Sequence, residues 1–176
     1  IEKYEKSIDF PTRSLGDKGP STIAETVSQK VGVGKTTSPW LSVLVLGILA
    51  GAYIGFGGML ASTVTFDMAA NFGIGFTKFM SGAVFSLGLM LVIIAGAELF
   101  TGNNLMISSV MAGEITFGKM LKRWGLVYIS NFIGSIIIVF LFFLSGLWET
   151  GGGALGAKAV SIAYGKVSLS FVEALT

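Results

Sequence analysis

The chain has 176 residues, 52% hydrophobic and 12% charged. That is about half the charge of a soluble domain, too little polar surface to cover a globule and too apolar a composition for a disordered chain. Cysteine and histidine are both absent and the net charge is +2, which removes disulfides, thiolate metal sites and the commonest zinc, haem and triad residue, and argues against a nucleic-acid partner. The class that remains is an all-α integral membrane protein, with no cofactor, metal or catalytic residue expected.

Residues 1–39 are polar, with Lys3, Lys6, Arg13, Lys18, Lys30 and Lys35. Pro20-Ser21-Thr22 followed by Glu25 reads as a helix start, with Ser21 or Thr22 as cap. Ile23, Val27 and Val31 fall on one face, predicting a short amphipathic helix along the membrane surface or beneath the transmembrane bundle. Gly32-Val33-Gly34-Lys35-Thr36-Thr37 imitates the end of a P-loop. The full pattern needs glycine where this chain has Gln29, and a strand before the loop, so nucleotide binding is set aside. Gly32 and Gly34 are instead expected to end the surface helix and to leave Lys35 at headgroup level.

Between Lys35 and Asp67 there is no charge, and about 20 apolar residues suffice to cross a bilayer. The first span, TM1, is predicted over about 40–63. Its Gly47, Gly51 and Gly55 recur every four residues and form a small-residue ridge for close helix packing. The stretch Phe79 to Gly113 is 35 residues broken only by Glu98, too long for one straight span and too short for two. It predicts a second span, TM2, over about 76–112, interrupted at 97–104, where glycines and asparagines cluster. Non-helical backbone at that depth survives only if it is buried in protein or lines a water-filled cavity. The 25 uncharged residues from Trp124 to Trp148 mark TM3, about 120–147. An extracytoplasmic loop is expected over 148–166, with a fourth span starting at 167–176. The basic residues of 1–39 and the cluster Lys119, Lys122, Arg123 place the N-terminus and the TM2–TM3 connection in the cytoplasm.

Glu98 is the one ionisable residue inside an apolar run, and so a candidate functional group. It falls at the C-terminal, negative end of the first half-helix. Its expected role is structural, the carboxylate pinning the loop through the loop's own amides; a cation-ligand role is the competing reading. Asn103 or Asn104 is expected to cap the second half-helix, whose N-terminus then points its amides into the protein, as broken helices do toward anionic substrates. Thr101 offers a hydroxyl there, and Leu99 and Phe100 suit an apolar constriction.

The heptapeptide Ala97-Glu98-Leu99-Phe100-Thr101-Gly102-Asn103, preceded by Phe85-Ser86-Leu87-Gly88-Leu89, resembles the signature of the formate/nitrite transporter family. The likeness extends to the segment ending in Gly-Val-Gly-Lys, to TM1, to Trp124 onward, and to Lys166-Val167 ahead of Phe171-Val172-Glu173-Ala174. The resemblance implies a homopentamer in a bacterial or archaeal cytoplasmic membrane. Each subunit would be an aquaporin-like bundle of two inverted three-helix repeats with its own pore, of which this chain covers the first repeat and the start of the fourth helix. It implies Thr101 as the polar pore residue, and Leu89, Leu99 and Phe100 at constrictions. Asn103 then belongs to the pathway, Gly96, Glu98 and Gly102 structure the loop, Lys166 draws anions, and Lys35 lies in a region proposed to gate the cytoplasmic mouth. The family's pore histidine belongs to the second repeat, so the chain is expected to be about two-thirds of a longer polypeptide. The implied function is passage of a small monovalent anion (formate, nitrite or hydrosulfide) with or without a coupled proton. A neutral-solute channel of aquaporin-like architecture is the alternative, although no Asn-Pro-Ala signature is present. A membrane-anchored NTPase and a purely structural membrane subunit fit less well.

Overall fold

Pro39 separates two kinds of helix in the computed structural model, which describes residues 19–175. Before it runs a continuous helical segment: α1 (Pro20–Glu25), a π-helical stretch (Thr26–Val31) and α2 (Gly32–Thr37). Gly19 is the N-cap and Pro20 takes the first helical position, where a missing N–H costs nothing. The expected caps Ser21 and Thr22 therefore lie inside the first turn. Gly32 and Gly34 do not end the helix. It stops after Thr37 because Ser38, extended at ψ 141°, precedes a proline that disfavours the α conformation. Ile23 and Val31 of the expected apolar face are exposed, and the wider π turn between them shifts the side-chain register. Lys3, Lys6, Arg13 and Lys18 of the orientation argument, and Thr176, lie outside the described residues.

Among the described residues, three helices are long and apolar enough to cross a membrane: α3 (Trp40–Thr65), α4 (Met68–Ala95) and α7 (Phe117–Leu144). The central one, α3, packs on both α7 and α4. Its glycine ridge faces α7: a Cβ on Gly47 would lie 2.5 Å from Ser130 Cβ, one on Gly55 3.0 Å from Ile138 Cβ, and one on Gly51 would overlap the Asn131 carbonyl. Gly134 of α7 answers the ridge, sitting against the Ile48 carbonyl. Small residues thus bring two backbones into contact where no hydrophobic drive from water exists. Gly57 and Gly88 do the same between α3 and α4. The turn Phe66-Asp67 leads directly into α4, whose first turn, from Met68, precedes a kink at Gly73 and the span expected from about residue 76. Gly73 (φ 77°, ψ 162°) allows an extra turn to precede its straight part.

Beyond α4 lie the short helices α5 (Phe100–Asn103) and α6 (Met106–Met111). Met106, Ile115 and Met120 form a buried cluster there, against which Val33 of α2 packs. After α7, Gly146, Gly151, Gly152 and Gly153 all take positive φ and reverse the chain around a 3₁₀ turn (Leu147–Glu149). Most of the expected 148–166 loop is then helical: α8 (Ala154–Val167) packs back on α3. The glycine cluster suggested a loop, but the Ala, Leu and Lys residues behind it have helix-forming propensity that outweighs Gly156 and Gly165. The last helix, α9 (Phe171–Leu175), opens with a capping box: the Ser170 N–H donates to the Glu173 carboxylate (2.8 Å) and the Glu173 N–H to Ser170 Oγ (3.4 Å).

Candidate permeation site at the interrupted helix

The break in the second span begins at a single backbone angle. Gly96 adopts φ 62°, ψ 31°, the left-handed conformation that closes a helix in a Schellman motif. Its N–H donates to the Ile93 carbonyl (3.2 Å) and that of Ala97 to Val92 (2.9 Å). The chain then crosses toward α3, where the Glu98 N–H donates to the Leu46 carbonyl (3.2 Å). Leu99 is extended and serves as N-cap to α5. The second half-helix therefore starts at Phe100, earlier than the expected Asn103 or Asn104. Leu99 rather than an asparagine takes the cap position because its carbonyl accepts from the N–H groups of Gly102 and Asn103 (3.1 and 3.3 Å). Thr101 sits within that first turn.

One α7 side chain holds this backbone in place. Asn131 Nδ2 donates to the carbonyls of Gly47 (2.8 Å) and Glu98 (2.9 Å), and Asn131 Oδ1 accepts from the Phe100 N–H (2.9 Å). A single amide thereby joins α3, the loop and α7, and satisfies polar groups that lipid would leave unpaired. Nothing in the reading of the sequence singled out Asn131. The available signal was its isolation: it is the only Asn or Gln between Trp124 and Trp148, where a lone amide is costly unless bonded.

The Glu98 carboxylate is bonded to the N-terminal segment and not to loop amides. Lys35 Nζ lies 2.7 Å from Glu98 Oε2, with side chains 22% and 15% exposed. Lys35 is thus engaged with the loop. It is delivered there by α2, whose final carbonyls are held by Arg123: Nη2 donates to the oxygens of Thr36 and Ser38, both at 2.8 Å. A cation at the carbonyl end of a helix also complements its dipole. At the other end of the segment, Ser109 Oγ donates to the Ser28 carbonyl, and Gly32 lies so close that a Cβ would overlap Ser109 Oγ.

A cavity of about 380 Å³ opens on this loop. Leu89, Val92 and Ile93 of α4 form one wall, and Gly96, Ala97, Glu98, Leu99, Thr101 and Gly102 form the other, with Lys35 at the edge. The structure thus brings together Leu89, Leu99, Thr101, Gly96, Glu98, Gly102 and Lys35. Three expected pathway residues lie elsewhere. Phe100 stacks edge-on against Trp124 and Tyr128 (centroids 5.9 and 5.5 Å), because its backbone bond to Asn131 holds it against α7. Asn103 is fully buried, its carbonyl accepting from Trp124 Nε1 (2.8 Å). Lys166 is exposed in the last turn of α8 and is not among the residues lining the cavity.

Comparison with known proteins gives this geometry a context. The model of the formate/nitrite transporter family matches residues 21–176. The chain belongs to that family. It is 35% identical over 156 residues to the formate channel FocA of Escherichia coli, covering 89% of this chain and 54% of that protein. To a probable formate transporter of Methanothermobacter thermautotrophicus it is 38% identical over 171 residues, covering 89% of this chain and 62% of the relative. To the nitrite transporter NirC of Escherichia coli it is 34% identical over 127 residues, covering 70% and 43%. A solved pentameric formate channel with formate bound superposes with a TM-score of 0.65 at 35% identity, covering 76% of this chain and 52% of that one. The chain thus spans between 43% and 62% of the length of these relatives. The family has bacterial and archaeal members among these relatives, and three helices among the described residues are long and apolar enough to cross a membrane.

Proposed function

We propose that the chain supplies one half of the pathway of a small-anion channel, with formate and nitrite as the candidate solutes. One observation carries this reading: the helix break at Gly96 turns Thr101 and the Leu99 side of the loop into a cavity walled by Leu89, Val92 and Ile93. Within the cavity, an anion would meet a hydroxyl and polar backbone between apolar collars. Desolvation at the collars favours the neutral acid form of a weak acid, which would link passage to a proton. The relatives named for formate and nitrite favour an anion over a neutral solute, and a role in transport rather than catalysis. Hydrosulfide fits the same charge and size class.

The likeness to a pentameric channel supports a homopentamer embedded in a cytoplasmic membrane. The basic cluster Lys119, Lys122 and Arg123 supports a cytoplasmic side shared with the N-terminus. Asn103 and Phe100 then act from behind the loop, fixing its shape, and Lys166 would act at long range on approaching anions. Lys35, the gating candidate, forms one edge of the cavity. Thr101→Val keeps the shape and removes the hydroxyl. Formate and nitrite uptake into proteoliposomes should fall about tenfold or more, and unchanged uptake would refute a pore role for Thr101.

A further inference from the structure

A carboxylate in the wall of an anion pathway is a contradiction that the structure resolves locally. Among the residues lining the loop cavity, Lys35 and Glu98 are the only charged ones, and they sit 2.7 Å apart with most of both side chains shielded from solvent. Shielded charges are weakly screened by salt. Glu98 without its partner would therefore project negative charge into the space an anion must enter, whereas the pair is neutral.

We propose that the N-terminal helical segment acts as the carrier of this countercharge, and that Arg123 is the positioning residue that seats it. The proposal rests on the anion-pathway reading above and adds the cause of the cavity's receptivity to anions. The main-chain oxygens on either side of Thr37 are the two that Arg123 holds. Hydroxyls occupy the neighbouring carbonyls: Thr36 Oγ1 donates to the Val33 oxygen at 2.7 Å and Ser38 Oγ to the Gly34 oxygen at 2.9 Å. These bonds fix the end of α2, and Lys35 in its last turn is set against Glu98. Releasing the segment removes the cation and leaves the acid in the wall.

The test is formate uptake into proteoliposomes by the full polypeptide and its variants. K35Q keeps reach and hydrogen bonding but leaves Glu98 unneutralised, and uptake should fall about tenfold or more, since like charges in close juxtaposition are costly. The double variant K35Q/E98Q has no bare carboxylate and should recover most of the uptake. R123Q should lower uptake in the native background and have little effect in an E98Q background, a dependence that a merely structural arginine would not display. If R123Q assembles poorly, R123K, which keeps the charge without the planar fork, should give a smaller loss. Trypsin cleavage after Lys35 should be slow in the native protein and faster in R123Q. Uptake that stays high in K35Q overturns the proposal. So does a double variant as impaired as K35Q, because the lysine would then act on the anion by itself. A native protein that carries neither formate nor nitrite overturns the anion reading and the countercharge role with it. In that case the protease measurement still decides whether Arg123 seats the segment.

Discussion

Glycine does opposite work in two neighbouring spans. Along α3, Gly47 and Gly51 have ordinary helical backbone and no room: Ser130 and the Asn131 carbonyl occupy the space a Cβ would need. At the end of α4, Gly96 has open space around it but a backbone at φ 62°. The first kind lets two helices touch and stay straight. The second ends a helix partway along the chain's second apolar stretch and creates the cavity. What looks like one compositional bias is thus two physical requirements, one steric and one torsional.

Alanine substitutions separate the two requirements. G51A should be the most damaging, at more than about 3 kcal/mol, because its Cβ meets backbone that cannot rotate away. Thermal unfolding in detergent should show it, and a melting point within 2–3 °C of the native value (roughly 1 kcal/mol or less) would contradict the ridge packing. N131L keeps the volume but strands the Glu98 carbonyl and the Phe100 N–H, while the Gly47 carbonyl keeps its bond within α3; each unpaired group costs about 1–3 kcal/mol. Faster hydrogen exchange should appear around residues 97–101, with α8 unaffected, and protection equal to native would show that the loop is held some other way. G96A should cost about 1–2 kcal/mol from the left-handed backbone alone. Here G96N, which tolerates that conformation better, should recover part of the loss; equal loss in both would point to crowding instead of torsion. G58A should have the smallest effect and the opposite sign. It lies in the same helix with nothing within 4 Å, and should gain about 0.5–1 kcal/mol from better helix propensity. A marked loss there would mean that another part of the assembly packs against this face.

Much of the fold was legible in one dimension because a bilayer demands it. The gaps between charged residues located the three spans, and the length of the apolar stretch around Glu98 called for an interruption, since backbone in lipid must be either helical or covered. The loop's residues were legible for the same reason. What was not legible shares a cause as well. Phe100 and Asn103 were read from their place in a motif, whereas their contacts come from α7: Trp124 and Tyr128 meet the Phe100 ring, and the Trp124 indole N–H bonds the Asn103 carbonyl. The α8 segment was read from its glycines, whose positive φ values confine the turn to a few residues.

The sequence by itself determined that the chain enters a membrane, how many long apolar helices it has, and that the second of them must break near Glu98. These follow from short-range quantities: charge spacing, helix length and the torsional freedom of glycine. Only the tertiary structure decided what holds the break open. Asn131 reaches the loop from α7, Arg123 seats α2, and Lys35 meets Glu98 across 63 positions of chain. No local pattern encodes such pairings, because each depends on the approach of helices that the glycine ridge brings together only once the chain has folded.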